Sequence, residues 1–268
     1  MRSFGLRPLQ PVLTQHAWLS RLTSKVQSKS AIEWTEHTWN PVTGCDKVSP
    51  GCDNCYAERM AARLQAMGSS RYSNGFKVTL HEDKVTEPLR WVKPRMVFVN
   101  SMSDLFHPKV PDNFIYDVFE VMTQAARHTF QILTKRPQRA AGLLTSELPS
   151  HIWIGTSIEN DSYVFRADHL RRIDVPIRFL SCEPLLGPLP SLDLSGVSWV
   201  IVGGESGPGH RPLEVEWVRE IRDKVVAADV AFFFKQWGGH TAKAGGRQLD
   251  GIEWNQWPEP AISESDTA

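Results

Sequence analysis

From residue 96 onward the chain repeats one pattern: a short run of β-branched and aromatic residues, then a longer stretch with apolar positions at helical spacing. The short runs are MVFVNS (96–101), TFQILTK (129–135), IWIGTS (152–157), IRFLSCE (177–183), VSWVIVGGE (197–205) and AFFFKQW (231–237), and their composition predicts strands. A seventh strand is expected around IEWTEHTW. Between them DNFIYDVFEVMTQAA, PQRAAGLL, DSYVFRADHLRRI and EVEWVREIRDKVVAA read as helices, the second opening on Pro137. Strand-to-strand steps of roughly 20 to 35 residues leave room for one crossover helix each, and right-handed crossovers curl the sheet one way. The expectation is an α/β fold, a parallel strand-helix barrel that is partial or nearly closed.

Each of the six later strands ends in polar or ionisable residues: Asn100, Ser101 and Asp104; Thr134, Lys135 and Arg136; Thr156, Ser157 and Glu159; Ser181 and Glu183; Glu205 and Ser206; Lys235 and Gln236. In alternating barrels the carboxyl ends of the strands share one mouth, so these groups converge although they are far apart in the chain. A strand also commonly ends in a helix cap, the role that Asp112 and Asp161 suit. The run from Gly203 to Gly207 either brings backbone amides to a ligand or merely permits a tight turn. Lys135 and Arg136, just before the Pro137 helix, form either an anion seat or a solvated pair.

The 268 residues suit one main domain, since about 250 is the usual size of such a barrel. Hydrophobic content of 41% and charged content of 22% are those of a soluble globular protein, and no apolar run approaches the roughly 18 residues needed to span a bilayer. A cytoplasmic location without membrane contact follows as the expectation. The net charge is zero, but Arg2, Arg7, Arg21, Lys25 and Lys29 stand in residues 1–30 without an acidic residue, leaving 25 basic against 30 acidic groups in the rest. That balance argues against a general nucleic-acid binder held by phosphate neutralisation. The leader has the composition of a transit peptide and equally that of a flexible extension. The expected organisation is a basic leader (1–30), a barrel (31–237), a closing segment (238–258) and a disordered acidic tail (259–268). The closing segment mixes glycines, Lys243, Arg247, Trp254 and Trp257; packing of its tryptophans is the expected role, with a lid over the mouth or contact with bases and phosphates as the others.

Three of the four cysteines, Cys45, Cys52 and Cys55, fall within TGCDKVSPGCDNCYAERM, in the turn-rich loop 40–56 ahead of a helix with Met60, Leu64 and Met67 at helical spacing. Three thiolates this close suggest one metal centre. A 4Fe-4S cube on three cysteines keeps an iron free for chemistry, whereas structural zinc needs a fourth ligand such as His37, His81 or His107. A disulfide with a spare thiol fits a chain with so few cysteines poorly. Cys182 is left outside the metal set as a buried thiol.

The cysteine loop at the opening of such a barrel resembles the radical S-adenosylmethionine superfamily. More specifically, WTEHTWNPVTGC, CDNCYAERMA, SMSDLFH, LTKRP, GTSIEN, CEPLLGP, GGESG, FFKQWG and GRQLDGIEW resemble an uncharacterised phage and prophage family known for a three-cysteine motif. The resemblance implies a TIM-like barrel with a lid-like C-terminal segment, and a 4Fe-4S cluster held by Cys45, Cys52 and Cys55. It also implies reductive cleavage of S-adenosylmethionine to a 5'-deoxyadenosyl radical, with an external electron donor. The first two cysteines are separated by six residues where the superfamily has three. The superfamily's Gly-Gly-Glu motif belongs on the second strand, whereas here those letters stand at Gly203 to Glu205. By position Asn100, Ser101 and Asp104 are the better cofactor contacts, Thr156, Ser157 and Glu159 face the ribose, and Glu205, Lys235 and Glu183 are the candidate catalytic groups. The leading expectation is a radical enzyme acting on an unidentified substrate, nucleic acid or nucleotide by preference. A metal-stabilised binding module for nucleic acid or a partner protein is the alternative, and a metal-dependent hydrolase using Asp104, Glu159, Glu183 and Glu205 is the third.

Overall fold

The computed structural model describes residues 32–241 and 243–259. The basic leader and the tail from residue 260 lie outside the described residues. Strands β1 (His37–Trp39), β4 (Met96–Val99), β5 (Thr129–Thr134), β6 (Ile152–Ser157), β7 (Ile177–Cys182), β8 (Trp199–Gly203) and β9 (Ala231–Gln236) form one seven-stranded sheet in that order. Every neighbouring pair is parallel. Because the order never reverses, each crossover adds its strand on the same side, and the right-handed twist curls the sheet into a half-barrel. Two short strands, β2 (Val42–Thr43) and β3 (Thr79–Leu80), pair antiparallel beside it.

Helices α1 (Tyr56–Ala66), α2 (Glu82–Val85), α3 (Asp112–Gln124), α4 (Pro137–Leu143), α5 (Phe165–Leu170) and α6 (Val215–Ala227) complete the fold. Side chains alternate across a strand, so the sheet has two apolar faces. Val97, Val99, Ile132, Ile154, Leu180, Val200, Val202, Phe232 and Phe234 join the helices in the larger core. The in-between positions, Phe98, Trp153, Ile177, Phe179, Trp199, Ile201 and Phe233, pack with Trp34 on the concave side. Gly155 belongs to that face, where a Cβ would lie 2.5 Å from the Phe179 ring.

The concave side is filled from its base. Trp34 enters ahead of β1, its ring 4.6 Å from Phe98 and 6.3 Å from Trp199. From the other end of the chain Trp257 lies 4.8 Å from Trp199, and Trp199 donates its Nε1–H to the Gln256 carbonyl at 2.9 Å. Residues 254–256 run along β9, where Phe234 N donates to Trp254 O and Gln256 N to Phe232 O, both at 3.0 Å. Of the roles set out for the closing segment, the structure shows packing for its tryptophans, and Trp257 sits at the strand-start end of the barrel.

Helix α1 forms where expected, and Leu64 packs against its buried side. Ala57 and Ala61 are buried, whereas Met60 and Met67 are 39% and 70% exposed. Small residues allow the helix to lie close to its support, and the long methionines are left outside.

Candidate active site at the strand mouth

Loop 44–55 does not hang free after β2; it crosses the mouth of the half-barrel as a strap tied down at three places. Near β5, Arg136 donates from Nη1 to Asp104 Oδ2 (2.9 Å) and Cys45 Sγ (3.5 Å), and from Nη2 to the Asp46 carbonyl (3.1 Å). Near β6, Ser49 Oγ donates to Glu159 Oε1 at 2.6 Å, and Glu159 is also paired with Lys135 at 3.2 Å and Arg166 at 2.8 Å. Near β8, Asn54 Nδ2 donates to Glu205 Oε2 at 2.9 Å, and Arg211 joins Glu205 at 2.5 Å and the Pro50 carbonyl at 2.9 Å. Gly51 must lack a side chain, because a Cβ there would come 2.5 Å from Glu159 Cγ.

Beneath the strap is a cavity of about 440 Å³. Cys45, Cys52 and Cys55 all line it, with Asn100, Ser101 and Asp104 on one side and Ser157, Glu183, Glu205 and Lys235 around the rest. Thr156 and Glu159 do not line it. Thr156 is one position out of phase with Trp153, Gly155 and Ser157, and its hydroxyl donates to the Thr134 carbonyl at 2.8 Å. Glu159 is fully buried among Arg166, Lys135 and Ser49. Both side chains are engaged in structural ties of the wall.

Three of the carboxylates expected to do chemistry serve as anchors for the strap. Asp104 accepts from Phe106 N, Thr134 Oγ1, Lys135 N and Arg136 Nη1, which uses both of its oxygens. Burial works to raise the Glu159 pKa, but Lys135, Arg166 and the Ser49 hydroxyl outweigh it and hold the carboxyl below its ordinary value. Glu205 behaves alike: burial is outweighed by hydrogen bonds from Arg211 and Asn54.

Glu183 and Lys235 form the pair that stays on the cavity wall. Lys235 Nζ lies 2.7 Å from Glu183 Oε2, with side chains 20% and 14% exposed. Burial alone would lower the Lys235 pKa, yet the Glu183 carboxylate outweighs it and keeps the ammonium charged. Register explains the exposure of the lysine. Val202 pairs Phe234 but Gly203 pairs Gln236, so Lys235 is the extra residue of a bulge, and both it and Gln236 reach the cavity. Gly203 leaves room for the Glu183 side chain, whose Cγ lies 3.3 Å from where a Cβ would stand.

The glycine run after β8 is used for packing. Gly204 N donates to Gln236 O and Gly207 N to Gly239 O, and a Cβ at Gly204 would lie 2.0 Å from the Trp237 carbonyl oxygen. Lys135 and Arg136 are neither a solvated pair nor an open anion seat, since both are engaged by the carboxylates that anchor the strap.

Three cysteines lining one cavity match in number the three thiolates that hold a 4Fe-4S cluster with an open iron. None of the three cysteines is in a disulfide. Burial, with Asp104 alongside, pushes the Cys45 thiol up to about 11 against the pull of Arg136, so a metal must displace a proton to bind there. His107 Nε2 is 3.0 Å from Asp46 and its Nδ1 accepts from Lys109 N, His81 Nε2 meets the Thr43 hydroxyl at 2.8 Å, and His37 Nε2 faces Arg95. None of these candidate fourth ligands lines the cavity that the cysteines share. Among the described residues no three His, Cys, Asp or Glu side chains are gathered as one metal ion requires. Cys182 is fully buried in the larger core, its thiol pushed well up by burial, and it does not line the cavity.

Some buried polar atoms at the cavity have no protein partner: Asn100 Nδ2, Trp34 Nε1 and Gln236 Oε1. Asn100 adopts a φ of +60°, a conformation asparagine tolerates, and its Oδ1 accepts from Val42 N at 3.3 Å while the amide nitrogen remains free. Sequence reasoning missed Trp34, Asn54 and Arg211. The first reads as core, and the other two lie in turns that nothing local marks as part of the site.

Residues 29–258 match a family described as Protein of unknown function (DUF5131). No curated protein matches the chain. Among solved structures, spore photoproduct lyase complexed with dinucleoside spore photoproduct is similar at 14% identity and a TM-score of 0.44, over 75% of this chain and 63% of that one. A mutant of that lyase with bound AdoMet and dinucleoside spore photoproduct is similar at 12% identity and a TM-score of 0.43, over 67% and 58%. The chain thus spans about three fifths of the length of these lyases.

Proposed function

The chain belongs to the DUF5131 family, and we propose that it is a radical S-adenosylmethionine enzyme acting on a nucleotide or nucleic-acid substrate. The observation that carries the proposal is the strap: three cysteines held over the carboxyl-end mouth of a half-barrel, all lining one cavity. Cys45, Cys52 and Cys55 would hold a 4Fe-4S cluster. The cluster, once bound and reduced by an external donor, supplies one electron for cleaving a carbon–sulfur bond of S-adenosylmethionine.

The remaining groups act around that event. Arg136 donates to the Cys45 sulfur and, fixed by Asp104, holds the first cysteine in place. Asn100 lines the cavity beside the cysteines and would stand next to the cofactor. Phe98, Leu133 and Trp34 line the cavity and keep water from reactive carbon. Glu183 and Lys235 face the substrate side as a carboxylate and an ammonium that can orient it.

Anaerobically reconstituted protein, given dithionite and S-adenosylmethionine, is expected to release 5'-deoxyadenosine, and the Cys45→Ala, Cys52→Ala and Cys55→Ala variants are expected to release none. Equal release by the variants would end the proposal. The carboxylate-based hydrolase loses support, because Asp104, Glu159 and Glu205 are each saturated by an arginine and neighbouring donors.

A further inference from the structure

The three sulfurs of the strap do not stand in equal surroundings. Arg136 Nη1 lies 3.5 Å from Cys45 Sγ and 2.9 Å from Asp104 Oδ2, while its Nη2 lies 3.1 Å from the Asp46 carbonyl. A guanidinium is a rigid, permanently charged fork, so three acceptors around it fix both its plane and its direction. The side chain is 12% exposed. Its backbone is set as well, since Arg136 N donates to Thr134 Oγ1 at 2.8 Å just before Pro137 opens α4. Cys52 meets a neutral group instead, the Ser49 hydroxyl at 3.8 Å, whose one hydrogen goes to Glu159 at 2.6 Å. Asp104 brings negative charge to the Cys45 corner, but its oxygens are taken up by Phe106 N, Thr134 Oγ1, Lys135 N and Arg136. The charged group that touches the sulfur is the cation.

We propose that Arg136 sets the reduction potential of the cluster, acting through the Cys45 sulfur, and so decides how strong an external donor the enzyme needs. The proposal rests on the function inferred above and goes beyond the holding role given there to Arg136. Reduction adds one electron to a cluster and its thiolates, so the reduced form carries one more negative charge than the oxidised form. A fixed cation that hydrogen-bonds a ligand sulfur stabilises that form more, which raises the potential. Water screens the field of a largely buried guanidinium little, and a group already aimed at the sulfur need not reorient when the electron arrives. Replacing Arg136 by a neutral residue removes the cation and leaves Asp104 beside Cys45. Both changes lower the potential. A hydrogen bond to a charged group shifts an equilibrium by roughly tenfold or more.

The test is an anaerobic redox titration of the full-length reconstituted protein, followed through the electron paramagnetic resonance signal of the reduced cluster. Arg136→Gln is expected to make reduction at least about tenfold less favourable, a midpoint lower by about 59 mV for a one-electron couple. Arg136→Lys keeps the charge without the rigid fork, and its midpoint is expected to fall between those of wild type and Arg136→Gln. Lys109→Gln is the control. It removes a cation that meets Asp46 of the strap at 3.1 Å but is 66% exposed and not bonded to a sulfur, so a much smaller shift is expected. The same midpoint in wild type and Arg136→Gln, or an equal shift from Lys109→Gln, overturns the proposal. If Arg136→Gln takes up no iron, Arg136→Lys carries the test, and a wild-type midpoint there overturns it. Loss of the cluster from both Arg136 variants reduces the residue to a clamp and overturns it too. Iron content of the wild type separates the conclusions: a protein that takes up no iron refutes the radical chemistry, and a loaded one whose potential ignores Arg136 refutes only the role proposed for that residue.

Discussion

Replacing Glu159 by glutamine tests whether the cysteine strap is held by the buried carboxylate. Glu159 is fully buried and neutralises Arg166, 3% exposed, and Lys135, 19% exposed, while accepting from Ser49 of the strap. Glu159→Gln leaves two poorly solvated cations without a counter-ion. Breaking such a pair costs about 3–5 kcal/mol, which for a chain of this size lowers Tm by roughly 6–20 °C. The pH dependence follows from the lowered pKa. The unfolded carboxyl titrates near its ordinary value of 4.5 and the folded one below it, so the charged group stabilises the fold fully above 4.5 and loses that contribution as the pH falls through the folded value. The Tm gap between wild type and variant should therefore be widest at neutral pH and narrow below pH 4.5. Calorimetry over pH, with iodoacetamide labelling of Cys52 as a readout of the strap, checks both parts. A Tm change under about 2 °C, less than 1 kcal/mol, together with unchanged Cys52 labelling, would refute the reasoning.

Gly204→Ala forces a Cβ to within 2.0 Å of the Trp237 carbonyl oxygen, so soluble yield and Tm should both drop sharply in expression trials and thermal melts. Arg136→Gln removes the cation beside Cys45 and leaves Asp104 there, so alkylation of Cys45 in metal-free protein should slow at neutral pH, read by mass spectrometry against time. On α1, Met60→Lys should leave stability within about 0.5 kcal/mol, whereas Ala61→Leu overpacks a fully buried site and should cost about 1–3 kcal/mol in urea melts. Trp257→Ala should cost about 3–5 kcal/mol if its contacts with Trp199 and Phe233 seal the base of the barrel.

The barrel was legible because each strand announces itself locally. MVFVNS, IWIGTS and AFFFKQW are apolar on both faces, as buried parallel strands are, and their observed ends differ from the sequence reading by at most two residues. The mouth was legible for the same reason. Which mouth residues face the cavity was also within reach, since Ser157 shares the parity of Trp153 and Gly155 while Thr156 does not. The ties of the strap were not. Ser49 meets Glu159 across 110 positions and Asn54 meets Glu205 across 151, and no local pattern pairs residues so far apart. Which face of α1 is buried was not legible either, because hydrophobicity marks methionine above alanine, whereas close approach of a helix favours the smaller residue.

Iron and acid-labile sulfide, measured on protein reconstituted without oxygen, bear most directly on the claim that Cys45, Cys52 and Cys55 grip a cube with one iron unclaimed by the protein. About four irons and four sulfides per chain are expected for a single 4Fe-4S cluster, with a further change in its electron paramagnetic resonance spectrum when S-adenosylmethionine is added to the reduced protein. A colourless protein carrying one zinc, or a cluster whose spectrum ignores S-adenosylmethionine, would contradict the account.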